Sequence, residues 1–308
     1  MTARLVVVTG AGGFVCSQIS VELAAAGFDV IAVDRTFDDD AASRLGAIRR
    51  VTGTLPEALE TLNAARPFAV IHGAAITAGP ATLGISAAAH VRTNMDLLTG
   101  CLAWARHAGA ARFVFLSSTG VFCADDGAGT LTEFSPATAR GPYSAAKKAG
   151  EIVTQGAADA SFATLSLRLG NMFGPREAPR PSRPGLGLVA RMIAAAKAEG
   201  LIRVETPQAR RDWTWLPDIG RALAGLLITF PGDLVDVLHC GSTEVLSDLD
   251  LAQAIAAVVP GTRVEVAPGP WPAAKGPMGS AITSALNGFH WTPVRAALAG
   301  LLQREGVA

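Results

Sequence analysis

The sequence predicts an α/β protein: a Rossmann-type, doubly wound parallel sheet with a smaller, discontinuous C-terminal substrate-binding lobe. Three observations carry this. Over the first 170 residues, short β-branched runs alternate with alanine-rich stretches of helical length, and parallel strands need crossovers of that kind. The runs are apolar nearly throughout, as strands buried on both faces are. The first run opens into a glycine-rich loop that leads into a helix, TGAGGFVCSQI.

In chain order, strands are expected at 4–9 (RLVVVT), 29–34 (DVIAVD), 68–72 (FAVIH) and 112–117 (RFVFLS), and helices at 13–26, 55–65, 87–108 and 143–158. Residues 1–170 read as the nucleotide-binding domain and 171–308 mostly as the lobe. The change of texture falls at the Pro/Arg/Gly-rich stretch 173–187, which reads as a loop. A helix (188–198), a strand (201–205) and the aromatic segment RDWTWLPD (211–218) follow. VDVLHCG (235–241) reads as a strand returning to the sheet, and the last helices fall at 247–258 and 293–303.

Composition narrows the function classes. Half of the residues are hydrophobic and the formal net charge is zero, which suits a globular chain without a general affinity for nucleic acid or anionic membrane. The longest apolar stretch, 222–230, is far shorter than a membrane span, and the N-terminus has no leader pattern. A cytoplasmic protein is expected. Cys16, Cys101, Cys123 and Cys240 are scattered, and no His/Cys group has ligand spacing, so reduced thiols and no metal site are expected.

The glycine loop sets the first candidate site. Gly10, Gly12 and Gly13, with Phe14 and Val15 beginning the helix, leave room for a pyrophosphate over backbone N–H groups. An ordinary glycine-rich turn has the same composition. Asp34, at the end of the second strand, separates the two readings: it stands where a carboxylate accepts the adenosine ribose hydroxyls and repels a 2′-phosphate. NAD is therefore the expected cofactor, with Arg35 the neighbour that complicates the choice. Cys16 occupies the place of a third glycine. It is small, and a packing role is expected of it.

The second candidate site is built around the single tyrosine. Tyr143 and Lys147 are i and i+4 on a helix and share a face. A cation beside a phenol favours the phenolate, which serves as a general base. Ser117 and Ser118 fall at the C-terminal end of a parallel strand, where open α/β sheets bind ligands.

Together these segments resemble the extended short-chain dehydrogenase/reductase family, the NAD-dependent epimerase/dehydratase group. The resemblance runs in order through TGAGGFVCSQI, VIHGAA (70–75), TNMDLLTGCL (93–102), SSTGVF (117–122), YSAAK (143–147), LRLGNMFGPR (167–176) and RRDWTWLPDIGRAL (210–223). It implies Tyr143 as general acid/base, Lys147 as holder of the nicotinamide ribose and Ser118 as hydrogen-bond partner of the substrate oxygen, with Thr119 as the rival hydroxyl. His72, Gly73, Ala74 and Ala75 would line the cofactor cleft, with Ser117 and Asn94 beside it. Asn171 and Arg211 match positions that contact the nucleotide-sugar in family members that use one. The chain departs from the pattern at Cys16 and at Thr54, where many relatives carry an acid near the adenine.

Thr119 and Gly120 follow Ser118 where 4,6-dehydratases carry an acidic pair, which leaves epimerase and dehydrogenase. Seven arginines lie between Arg176 and Arg211, and arginine grips phosphate or carboxylate through two bonds. Arg176 and Arg211 are the expected anchors of an anionic substrate. A nucleotide-sugar is the first candidate; a free sugar, sugar acid or other small hydroxy compound is the second; a catalytically silent NAD-binding regulator is a third reading. The resemblance also implies a homodimer, with helices 87–108 and 143–158 as the pairing surface.

Overall fold

A computed structural model describes residues 3–180, 183–231 and 235–304. The first half consists of β1 (Leu5–Thr9), α1 (Phe14–Ala25), β2 (Asp29–Asp34), α2 (Asp39–Leu45), β3 (Arg49–Thr52), α3 (Glu57–Glu60), β4 (Ala69–His72), α4 (Pro80–Leu83), α5 (Ala87–His107), β5 (Arg112–Ser118), α6 (Pro142–Gly156) and β6 (Ala163–Leu169). The second consists of β7 (Asn171–Phe173), α7 (Leu188–Glu199), β8 (Leu201–Val204), β9 (Arg210–Trp215), α8 (Leu216–Thr229), β10 (Val237–Cys240), β11 (Val245–Ser247), α9 (Asp248–Ala256), β12 (Arg263–Val266) and α10 (Val294–Arg304).

Seven strands form one parallel sheet in the order β10-β6-β5-β4-β1-β2-β3. The doubly wound Rossmann architecture is thus present, and its burial explains the first apolar run. Val6 and Val8 join the core under α1 and α8, whereas Val7 joins the core under α5 on the other face, and all three are fully buried. A strand covered on both sides favours apolar residues at successive positions. The segment 235–241 does return to the sheet: β10 pairs with β6.

The lobe has its own core, in which Phe173, Met192, Ile202, Trp213, Leu251 and Leu298 pack together. Two small sheets shape it, β11-β9-β7 and β12-β8. Trp213 and Trp215 are both buried there, so the aromatic segment is packing.

Three expectations are corrected. The edge strand β3 was not anticipated, because its RRVT sequence exposes two arginines. Nor was β6, whose apolar run is broken by Ser166 and Arg168. The helix expected at 55–65 shrinks to α3; beyond it Leu62, Asn63 and Ala65 donate to carbonyls three residues back, which makes successive tight turns rather than an α-helix. Among the described residues no helix is long and apolar enough to cross a membrane, and no group of three potential ligands for a metal occurs.

Candidate active site

The glycine loop is held from below by an acid. Gly10 has φ +76°, and a side chain there would strike the backbone of Gly73 and Ala74. A side chain at Gly12 would strike Thr36 O and approach the Asp34 carboxylate. Asp34 accepts from Gly12 N at 2.8 Å and from Arg35 N at 2.6 Å. Burial raises its pKa, and the N–H groups of Gly12, Arg35 and Thr36 oppose that rise. A cradle of bare backbone beside a strand-end carboxylate fits an adenosine ribose and a pyrophosphate.

Cys16 does not spoil this cradle, because residue 73 makes room for it. The thiol is buried, and a Cβ at Gly73 would lie 2.2 Å from Cys16 Sγ. The helix keeps its approach to the sheet by taking the space at a glycine on a different strand end. Burial pushes the thiol up to about 12, so it is a neutral packing group. Thr54 is exposed and donates to Glu57 at 2.8 Å; the acid absent at 54 stands three residues on.

Tyr143 and Lys147 share the face of α6 turned to the end of β5. Lys147 is buried and donates to Leu116 O at 2.6 Å, with Nζ 5.6 Å from the centre of the Tyr143 ring. Ser118 Oγ accepts from Gly120 N at 3.0 Å, which leaves its own proton to donate outward. Gly120 lies between the two groups: a Cβ there would be 3.2 Å from both Ser118 Oγ and Tyr143 Cε1. Ser118 and Tyr143 both line a cavity of about 800 Å³, which Asn171, Arg191, Arg203 and Arg211 also line.

Other expected residues do different things. Ser117 donates to Glu151 at 2.5 Å, and Glu151 takes a two-pronged grip from Arg168, with both bonds 2.8 Å long. His72 is buried between Phe113 and Phe115 with Nδ1 2.9 Å from Thr9 Oγ1, and burial lowers it to about 3, so the ring is neutral. Ala74, Ala75, Asn94, Tyr143 and Lys147 line a small cavity next to it. Asn94 holds both backbone groups of Ile76, accepting at 3.0 Å and donating at 3.2 Å, and so fixes the loop after β4. Phe14 and Val15 line the large cavity; Arg35 is exposed.

On the lobe side, Asn171 donates through both N and Nδ2 to the buried carboxylate of Asp212, and Arg211 grips Asp248 at 2.7 and 3.1 Å. Arg176 is not brought to the cavity. Its guanidinium reaches Ser43 at 3.3 Å and Asp40 at 3.7 Å on α2, and its backbone has φ +61°. Arg44, which the sequence did not single out, donates to Phe14 O, Pro175 O and Arg176 O and ties the glycine loop to the loop at 175–176. Lys275 was also missed. It donates to Thr119 O and lies 3.2 Å from Thr119 Oγ1. Its only sequence signal is rarity: it is one of four lysines, alone in a proline- and glycine-rich stretch.

A doubly wound sheet carrying a glycine cradle over a strand-end acid defines a dinucleotide-binding Rossmann protein. More narrowly, the chain belongs to the NAD dependent epimerase/dehydratase family, whose model matches residues 6–232, and its cofactor is NAD. It is similar to a dTDP-4-dehydro-6-deoxy-D-allose reductase from Streptomyces bikiniensis, 28% identical over 83% of this chain and 81% of that protein. It is similar also to the low-salt glycan biosynthesis protein Agl12 of Haloferax volcanii, 29% identical over 57% of this chain and 54% of the relative, so that match spans about half of the relative's length. The solved UDP-glucose 4-epimerase from Brucella ovis, in complex with NAD, superposes with a TM-score of 0.80 at 22% identity over 96% of each chain.

Proposed function

We propose that this protein transfers hydride at a carbinol of a nucleotide-sugar, as an epimerase or an oxidoreductase, using Ser118, Tyr143 and Lys147. The observation that carries the reading is that Ser118 and Tyr143 flank Gly120 and line one large cavity together with several arginines. Relatives named as a reductase and an epimerase of nucleotide-linked sugars support the substrate class. In this reading residues 171–308, apart from β10, are the substrate lobe, and the protein is a cytoplasmic homodimer paired through α5 and α6.

NAD would lie over Gly10, Gly12 and Gly13, start against Phe14 and Val15, meet Asp34 and Arg35 at its ribose, and run past His72, Gly73, Ala74, Ala75 and Asn94 to Ser117, Tyr143 and Lys147. When bound, it supplies the hydride acceptor and donor. The chain's own groups handle the proton and the geometry. Ser118 Oγ, with one lone pair taken by Gly120 N–H, donates its proton to the substrate oxygen. Tyr143 Oη takes the carbinol proton or returns it, and the Lys147 ammonium would hold the nicotinamide ribose. Lys147 is itself fixed by Leu116 O. Neutral His72 closes the wall without adding charge. Thr119, Asn171 and Arg211 face the substrate, and Arg176 drops to a support of α2.

The test is turnover of UDP-glucose and UDP-galactose by NAD-loaded protein, followed by product analysis and by absorbance of NADH. Interconversion without net NADH marks an epimerase; accumulating NADH marks an oxidoreductase. In Tyr143→Phe either activity falls by at least about a hundredfold while NAD binding persists. Unchanged activity in that variant rules out the site, and NAD binding without turnover of any nucleotide-sugar or free sugar acid leaves the regulator reading in its place.

A further inference from the structure

Lys275 lies on a strap that follows β12 and contacts Thr119. The strap is zipped to the loop after β5: Gly276 N donates to Gly127 O, Leu131 N to Pro277 O and Gly279 N to Leu131 O, each at 2.9 Å. Glu133 fastens its end, accepting from Ser280 Oγ at 2.7 Å and Ala281 N at 2.9 Å. This register brings the Lys275 ammonium to Thr119, one residue from Ser118. An ammonium has three donors, and two are used on Thr119 O and Oγ1.

No carboxylate among the described residues forms an ion pair with this ammonium. The charged and titratable groups facing it are Asp212, Arg211, Asp126 and Cys123. Asp212 is taken up by Asn171 and Met278 N, Asp126 by Cys123 N and Thr138, and Arg211 by Asp248. Burial therefore dominates, and it lowers Lys275 to about 8. A largely desolvated cation without a counter-ion is costly. Here it has one donor to spare, at Thr119, the residue that follows Ser118.

We infer that Lys275 Nζ and Thr119 Oγ1 form a subsite for a carboxylate on the sugar itself, so that the substrate is a nucleotide-linked uronic acid. This rests on the nucleotide-sugar reading. The diphosphate has separate cations: Arg191 on α7 and Arg203 on β8 are exposed, line the cavity and have no ion-pair partner among the described residues. Guanidinium forks suit a diphosphate, whereas one spare ammonium proton and one hydroxyl suit a single carboxylate. The Lys275 charge is present at pH 7 and is lost as pH rises through its lowered pKa, so the preference for the acid declines in the same direction.

Calorimetric titration of NAD-loaded protein with UDP, UDP-glucose, UDP-galactose, UDP-glucuronate and UDP-galacturonate, at pH 7.0 and 9.5, tests this. At pH 7.0 at least one uronate is expected to bind about tenfold or more tighter than its hexose. In Lys275→Met that ratio falls toward one while UDP binding stays the same. At pH 9.5 the wild-type ratio shrinks, and Lys275→Arg retains it. Equal binding of hexoses and uronates by the wild type overturns the subsite and leaves the nucleotide-sugar reading intact. So does a Lys275→Met variant that weakens UDP as much as the uronates, which makes Lys275 a diphosphate contact. If no UDP compound binds but free glucuronate or galacturonate binds in a Lys275-dependent way, the subsite stands and the nucleotide falls; if none binds, both fall. Should Lys275→Met not fold, the pH dependence of the wild-type ratio decides.

Discussion

Gly73 and Cys16 act as one unit, although 57 residues separate them in the chain (73 − 16). The sulfur occupies the space a side chain at 73 would need. Gly73→Ala alone is expected to cost about 1–3 kcal/mol through overpacking and to weaken NAD binding, because the displaced helix carries the cradle. Adding Cys16→Ala clears the sulfur, and most of that loss should return in urea unfolding. A double mutant no more stable than the two single costs summed would show that the sulfur is not the obstacle. At this scale the sequence was readable where spacing is chemistry. The i, i+4 pair Tyr143 and Lys147 and the acid Asp34 after the glycine loop are local patterns. Lys275 was not readable, because its meaning depends on a strap that brings it across 156 residues to Thr119.

Among the elements, β5, β6 and α6 are joined by a buried polar relay. Glu151 on α6 receives Ser117 from β5 and Arg168 from β6, and Arg168 Nη1 lies 3.3 Å from His239 on β10. The pair is buried on both sides. Removing one partner strands the other charge, so Glu151→Ala should destabilise by about 3–5 kcal/mol. Joint replacement, Glu151→Leu with Arg168→Leu, should cost less, measured by denaturant midpoints at equal slope; a double variant as unstable as Glu151→Ala would mean that the ion pair is not the source of the loss. The same relay explains which strands were legible. β1, β2, β4 and β5 are apolar on both faces and could be read directly. β6 could not, because Arg168 looks like a surface residue until its carboxylate on a distant helix is known. β3 sits at the sheet edge, where exposed arginines are tolerated and the apolar signal is lost.

For the whole molecule, the buried histidines His72 and His239 bear on the acid response. His72 and His239 both have pKa values lowered by burial. A group with a depressed folded-state pKa contributes stability above its unfolded value that is lost as pH falls. Unfolding free energy should therefore begin to drop below about pH 6.5, before carboxylates protonate, and the slope between pH 6.5 and 4.5 should be shallower in His72→Asn. An identical slope would show that His72 does not govern this window. The proposed dimer rests on α5 and α6, which pack against each other, with Ile152 on α6 69% exposed. A charge there, Ile152→Glu, should shift light-scattering mass from dimer to monomer; a mass that does not change, or a wild type that is already monomeric, would move the interface elsewhere or remove it.

Asp212 has a consequence for the order in which this molecule becomes whole. Its carboxylate reaches back in the chain to Asn171 and forward to Met278, and β10 closes the sheet only after residue 237 has been made. A chain emerging from the ribosome can assemble its glycine cradle, Tyr143 and Lys147 early, since those parts lie within the first 150 residues. The proposed substrate side has to wait until Met278 has been made. A chain stopped short of Met278 would hold the groups proposed to handle the hydride without the carboxylate-anchored wall proposed to meet the substrate.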